Sequence, residues 1–189
     1  MMNNPQQFNF FEYLYADLSR AKQLQGLPTH SKWNLIFWLG IFSPRFVPVL
    51  LCRVSHLMYL YKLTPIAKAV SLINFFLFGL EVGVRCEIGK GLFFPHTSGI
   101  VIGAFSIGSN VTIYQGVTIG ARELDFSYLE SSRPTIGNDV TIATGSVILG
   151  PIQIGDRVVI GANSVVLSSI PTGALAVGAP AKVVGGIGV

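Results

Sequence analysis

Charged side chains are few in this chain, 12% of residues against 50% hydrophobic. That ratio excludes a solvated, disordered protein, which buries too little apolar surface to fold. The basic excess is slight, 13 Lys and Arg against 9 Asp and Glu, and it forms no run or stripe. A nucleic-acid partner is therefore not expected, although a small anionic cosubstrate would suit the excess. Cysteine is nearly absent. Cys52 and Cys86 form no CxxC pair, which excludes a disulfide framework and fits a reducing compartment. The segment Met1–Asn9 is polar and has no charged stretch followed by an apolar core, so no secretory signal is expected and the location is read as cytoplasmic. GxSxG elbows, Walker loops and zinc spacings are all missing, and no metal is expected. Glycine is abundant instead, 21 of 189 residues against an ordinary ~7%. The length suits one compact domain, or one domain with a substantial appendage.

Residues 1–80 read as a helical region, unusually apolar. Phe8–Lys22, Trp33–Phe42, Phe46–Tyr61 and Ile66–Leu80 are the expected helices, with Ser43-Pro44 and Thr64-Pro65 as breaks between them. The run Trp33–Cys52 is as long as a membrane crossing, but Asn34, Pro44, Arg45 and Pro48 interrupt it. Burial against the rest of the protein or a subunit is one reading. A peripheral membrane contact through Trp, Phe and basic residues is the other.

Over residues 81–189 the grammar changes to a six-residue step. Val82, Ile88, Phe94, Ile107, Ile113, Ile119, Ile136, Ile142, Ile148, Ile154, Ile160 and Val166 mark it, often with Gly following and Asn or Asp shortly after. A fixed short period marks a solenoid: the aliphatic residue points inward from a short strand, and Gly, Asn and Asp sit at corners that need positive φ. Three hexads make one triangular coil, so roughly four coils are expected of this parallel β-helix, mainly β in class. The period does not fix its hand.

Two interruptions stand out. Phe94 to Ile107 is thirteen residues rather than twelve, a slip beside His96. Ala121–Arg133 cannot be coil and is read as a protruding loop, carrying five of the 22 charged residues together with Phe126 and Tyr128. Loops on rigid scaffolds are common places for binding specificity.

Of three histidines, His30 lies in a polar connector and His56 in a helical run, where packing or capping is the expected role. His96 lies in the β-helix itself. A neutral imidazole can take a hydroxyl proton as a general base, best when a carboxylate fixes its tautomer. Glu81, fifteen residues upstream, spans most of one coil and is a candidate partner; a solvated start-of-coil residue is the competing reading. The carbonic anhydrases that share such a fold need several histidine ligands, and the β-helix holds only one.

The segments Ile88–Gly103 (IGKGLFFPHTSGIVIG), Val111–Gly120 (VTIYQGVTIG) and Val177–Val184 (VGAPAKVV), with Cys52-Arg-Val-Ser-His56, resemble the serine O-acetyltransferase branch of the hexapeptide-repeat acyltransferases. The likeness runs from about Ala16 to Val184. It implies a left-handed β-helix, acetyl-CoA as cosubstrate, and a homotrimer or larger oligomer binding it in grooves between neighbours. It also implies His96 as the base with Glu81 orienting it. Ala121, Thr144, Ala162 and Lys182 match cosubstrate-binding positions, and Gln115 a substrate-binding one. A solvated lysine is the competing reading of Lys182.

The departures from that pattern shape the expected acceptor. Pro95 stands where the family has an Asp that helps bind serine's ammonium, Arg133 where it has a serine-contacting His, and Gln25 where it has a further acid. Losing a charged contact costs ~1.5–3 kcal/mol, so the serine pocket reads as lost while acetyl transfer is retained. Resemblance then tilts to the exopolysaccharide and capsule subgroup. Phe126 and Tyr128 would stack on a sugar and Arg133 would meet an acidic group. The expectation is an acetyl-CoA-dependent O-acetyltransferase acting directly on a saccharide hydroxyl in polysaccharide biosynthesis. Its rivals are a serine O-acetyltransferase of cysteine biosynthesis and a non-catalytic trimeric scaffold.

Overall fold

The computed structural model describes residues 8–28 and 38–186. His30 and the Trp33–Phe37 part of the second expected helix lie outside the described residues. Helix α1 (Phe10–Leu24) begins where the Asn9 side chain accepts the Glu12 amide at 3.2 Å, a cap for one of the orphan N–H groups of a first turn. After a 3-10 turn at Gly40–Phe42 come α2 (Val47–Leu60) and α3 (Thr64–Phe78), packed on each other. Ser43-Pro44 does separate helical segments. Residues 61–63 separate α2 from α3, and Thr64-Pro65 forms the first turn of α3, where proline's missing amide is no loss. Gly79 ends α3 at φ 64°, a left-handed conformation that glycine adopts without strain.

Only Ala67 and Asn74 of α3 are buried, although the helix carries a single charge, Lys68. Asn74 donates to the Pro48 carbonyl at 3.0 Å and Ser55 to the Ala67 carbonyl at 2.8 Å, which ties α3 to α2. Phe76 and Leu77 remain exposed. Among the described residues, no helix is long and apolar enough to cross a membrane.

From Leu80 the chain winds as a left-handed parallel β-helix of triangular section. One face stacks β1 (Leu80–Val82), β3 (Ile100–Ile102), β6 (Thr118–Gly120), β9 (Val147–Leu149) and β12 (Val165–Val166). A second stacks β2 (Glu87–Ile88), β4 (Ser106–Ile107), β7 (Thr135–Ile136) and β10 (Gln153–Ile154). The third stacks β5 (Thr112–Ile113), β8 (Thr141–Ile142), β11 (Val159–Ile160) and β13 (Ala174–Gly178), closed by antiparallel β14 (Ala181–Gly186).

The six-residue step is the cause of this shape. Ile107, Ile136 and Ile154 form one inward column, Ile113, Ile142 and Ile160 another, Ile119, Ile148 and Val166 a third, all essentially inaccessible. Burying each such side chain contributes about 1.5–3 kcal/mol. Asn110, Asp139 and Asn163 take φ of 58°, 57° and 55° at the corners, the left-handed conformation that short polar side chains tolerate best after glycine. The slip beside His96 is visible in the pairing. Val82 faces Ile102 and Ile102 faces Ile119, spacings of 20 and 17 residues where the coils after the protruding loop keep 18.

The helices cap the open end of this stack. An edge strand presents unpaired backbone groups, and β2 is the edge of its sheet. Arg53, on α2, donates to the Ile88 and Gly89 carbonyls at 2.5 and 2.6 Å and to both carboxylate oxygens of Asp17 on α1 at 2.8 and 3.0 Å. Asp17 in turn accepts the Leu92 amide at 2.9 Å. Leu14, Leu18, Phe46, Val49 and Cys52 join the same core as the coil isoleucines.

His56 is a packed residue. Its Nδ1 donates to the Val84 carbonyl at 3.1 Å, while Nε2 is buried with no partner. Burial pushes its pKa below the ordinary histidine value, the Val84 bond opposing. A histidine kept neutral in the fold contributes its full stability above the unfolded value of about 6.5 and loses it as pH falls below that, where only the unfolded chain takes up the proton. The urea midpoint should therefore fall between pH 7.5 and 5.5, and His56→Gln should reduce that fall. An equal pH response in the two proteins would show that other groups carry it.

Candidate active site

His96 follows the buried pair Phe93 and Phe94, in the extra chain that crosses from the third face to the first, and its ring is exposed. It opens onto a cleft of about 440 Å³ that it shares with Pro95, Arg20, Gln25, Arg45 and Tyr114. α1 supplies Arg20, whose guanidinium donates to the Gly91 and Val111 carbonyls at 2.6 and 3.0 Å and to the Thr112 hydroxyl at 2.9 Å. Desolvation lowers its pKa, with Asp139 and Asp17 opposing. Among the described residues, the side chains of His96 and Arg45 make no hydrogen bond or ion pair.

The same edge of the prism continues through the coils below. Ser98 accepts the Gly116 amide, Gln115 the Gly145 amide and Thr144 the Asn163 amide through their carbonyls, at 3.0, 3.0 and 2.8 Å. Gln115, Thr144 and Ala162 therefore stand one above another, in line with the His96 corner. The Thr144 hydroxyl donates to the Gln115 carbonyl at 3.0 Å, and Gln115 Oε1 is buried without a partner. Lys182 stands exposed on β14 across from Val177. This edge offers small side chains, one orphan amide oxygen and a terminal cation, which suits a long, anionic, thioester-bearing cosubstrate.

Glu81 does not join His96 by a hydrogen bond or an ion pair. It points outward from β1 and borders a separate cleft of about 660 Å³ with Lys68, Arg85, Phe126 and Tyr128. Ala121 stands at the start of the loop on the far corner of that face.

The loop residues divide by role. Phe126 is 87% exposed. Arg133, expected to meet an acidic acceptor, spends its donors at home: Nε on the Asp125 carboxylate at 2.8 Å, the terminal nitrogens on the Asp125 and Gly103 carbonyls at 2.7 Å each. Its guanidinium lies 3.9 Å from the Tyr128 ring centroid, and the Tyr128 hydroxyl donates to the Ala104 carbonyl at 2.7 Å. Desolvation would raise the Asp125 pKa, but hydrogen bonds from Arg133 and from the Leu129 and Tyr128 amides outweigh it and hold the carboxyl below its ordinary value. Arg133 and Tyr128 are thus anchors of the loop. Arg133→Ala should raise the rate of protease cleavage within 121–133 roughly tenfold or more, the scale of a lost charge-assisted bond. Unchanged cleavage would show that the loop is held by something else.

Arg20 and Arg45 carry no local signal in the sequence. They reach His96 only through the packing of α1 and of the turn before α2.

The description "Bacterial transferase hexapeptide (six repeats)" matches residues 133–168. The serine acetyltransferase of Helicobacter pylori is 42% identical over 157 residues, covering 82% of this chain and 86% of that protein. Two solved structures share the fold. Serine acetyltransferase of Brucella abortus in complex with coenzyme A superposes with a TM-score of 0.78 at 27% identity, over 94% of this chain and 68% of that one. Serine acetyltransferase of Neisseria gonorrhoeae in complex with serine gives 0.77 at 28%, over 92% and 68%. Fold, edge and relatives together define an acetyl-CoA-dependent acetyltransferase of the hexapeptide β-helix type. The chain belongs to the serine acetyltransferase family.

That membership corrects the expectation of a saccharide acceptor and of polysaccharide biosynthesis, since the relatives are serine acetyltransferases. The physical source of the error is Arg133. Its donors are consumed by Asp125 and the Gly103 carbonyl, so its difference from the family histidine describes how the loop is held.

Proposed function

We propose that this enzyme acetylates the hydroxyl of L-serine, with His96 as the general base. The observation that carries the reading is the 42% identity to a serine acetyltransferase across 82% of the chain, with His96 free at the mouth of its cleft. Acetyl-CoA supplies the acetyl group as a thioester. His96 accepts the hydroxyl proton as that oxygen bonds to the carbonyl carbon, and returns it to the departing sulfur. Such proton transfer contributes roughly 10²–10⁴-fold. Thr144, Ala162 and Lys182 would hold the cosubstrate along the edge, with Gln115 above them on the acceptor side, and packing of a second and third copy would turn that edge into a groove. Glu81 is the proposed orienting carboxylate; catalytic hydrogen bonds absent from an unliganded site often tighten on binding.

Transfer is direct. Burial pushes the thiols of Cys52 and Cys86 up to about 12, so neither supplies a thiolate for a covalent acetyl-enzyme at neutral pH. Incubation with acetyl-CoA and L-serine, followed by free CoA and O-acetylserine, tests the reading. CoA release no faster with serine than with water would defeat it.

A further inference from the structure

The cleft beside His96 has an unusual charge balance. Arg20 and Arg45 border it together with the neutral Gln25, Pro95 and Tyr114, and no aspartate or glutamate among the described residues lines it. Arg20 is spent on two carbonyls and a hydroxyl. The Asp17 carboxylate near it is spent on Arg53 and the Leu92 amide. Arg45 is different. It stands in the turn just before α2, exposed, and among the described residues it makes no hydrogen bond, ion pair or ring contact. Its planar fork of donors fits a carboxylate in bidentate fashion. Gln25, in contrast, donates its amide back to the Ala21 carbonyl at 2.8 Å and holds no charge for an ammonium.

We infer that Arg45 anchors the acceptor by its carboxylate, and that the site reads a hydroxy carboxylate without requiring the ammonium group. The inference rests on the serine acetyltransferase reading and extends it to the acceptor class: hydroxy acids lacking the amine are substrates too. A cation at this place would also suit a phosphate of the cosubstrate, and the kinetics separate the two anions.

The test uses the full chain and Arg45→Gln, with acetyl-CoA and three acceptors: L-serine, serinamide, which lacks the carboxylate, and 3-hydroxypropionate, which lacks the amine. The wild type should use 3-hydroxypropionate within about tenfold of serine in kcat/KM and serinamide about 10- to 100-fold less well, the loss expected for one charge-assisted contact. Arg45→Gln should raise KM for serine and 3-hydroxypropionate by a similar factor and bring serine and serinamide together, and Arg45→Lys should restore part of the difference. A rise confined to KM for acetyl-CoA would assign Arg45 to the cosubstrate and overturn the inference, as would unchanged KM for serine. Turnover of serine without turnover of 3-hydroxypropionate would overturn it while leaving the serine reading standing. CoA release with none of the three would remove both.

Discussion

His96→Ala should lower acetyl transfer to serine by roughly 10²–10⁴-fold, the range that a general base contributes. The loss should appear in kcat and in kcat/KM for serine, because the proton moves only as the new ester bond forms. Stability should barely change: the ring is exposed and makes no hydrogen bond among the described residues, and surface substitutions away from such features stay within about 0.5 kcal/mol. Binding of acetyl-CoA should persist, since the positions proposed to hold it, Thr144 and Ala162, lie on coils that the substitution does not touch. Near-wild-type rates from a folded His96→Ala protein would mean that another group takes the proton. His56 is no substitute, being buried and already bonded to the Val84 carbonyl.

Asp17→Ala should produce the largest loss of stability, about 3–5 kcal/mol, because it strands the Arg53 guanidinium in a buried site. Arg53 and Asp17 are 3% and 0% exposed, so water cannot replace either partner. Buried pairs can sometimes be exchanged for apolar residues at no cost. Here the exchange should fail. Arg53 also covers two carbonyls of the first coil and Asp17 one amide, and each group left bare carries a penalty of about 1–3 kcal/mol. The double variant Asp17→Leu with Arg53→Met should thus remain well below the wild type in urea melts. Recovery to the wild-type midpoint would show that the capping bonds contribute little.

Much of the fold was legible because a single steric rule repeats. An aliphatic residue every sixth place, with Gly, Asn or Asp at the corners, leaves the chain few shapes, and the columns built on Ile107, Ile113 and Ile119 follow directly. The helix ends were less legible. Asn9 moves the start of α1 to Phe10, and Pro65 begins α3, so the same residue type that breaks one helix opens another.

In the site, His96 stood out at the slip in the rhythm. Arg20 and Arg45 did not, because only the docking of α1 and the turn at Arg45 brings them to His96, and no local pattern encodes that docking. Arg133 misled for a related reason: its partners Asp125 and Gly103 are chosen by the path of the loop. Glu81 lay at a distance along the chain that suits contact across one coil, yet no hydrogen bond or ion pair joins it to His96, and it borders the cleft lined by Lys68, Arg85 and Phe126.

The loop has one more consequence. Ile107 pairs with Ile136 across a gap of 29 residues, while Ile136 pairs with Ile154 across 18, and both pairings keep the same register. The whole excess is spliced in at one corner. The pairing of neighbouring rungs is therefore independent of the loop's length, while its anchors Tyr128 and Arg133 still reach the Ala104 and Gly103 carbonyls of the rung before it. Such a corner lets a segment be lengthened or shortened in one place without a matching series of repairs to the stacked strands.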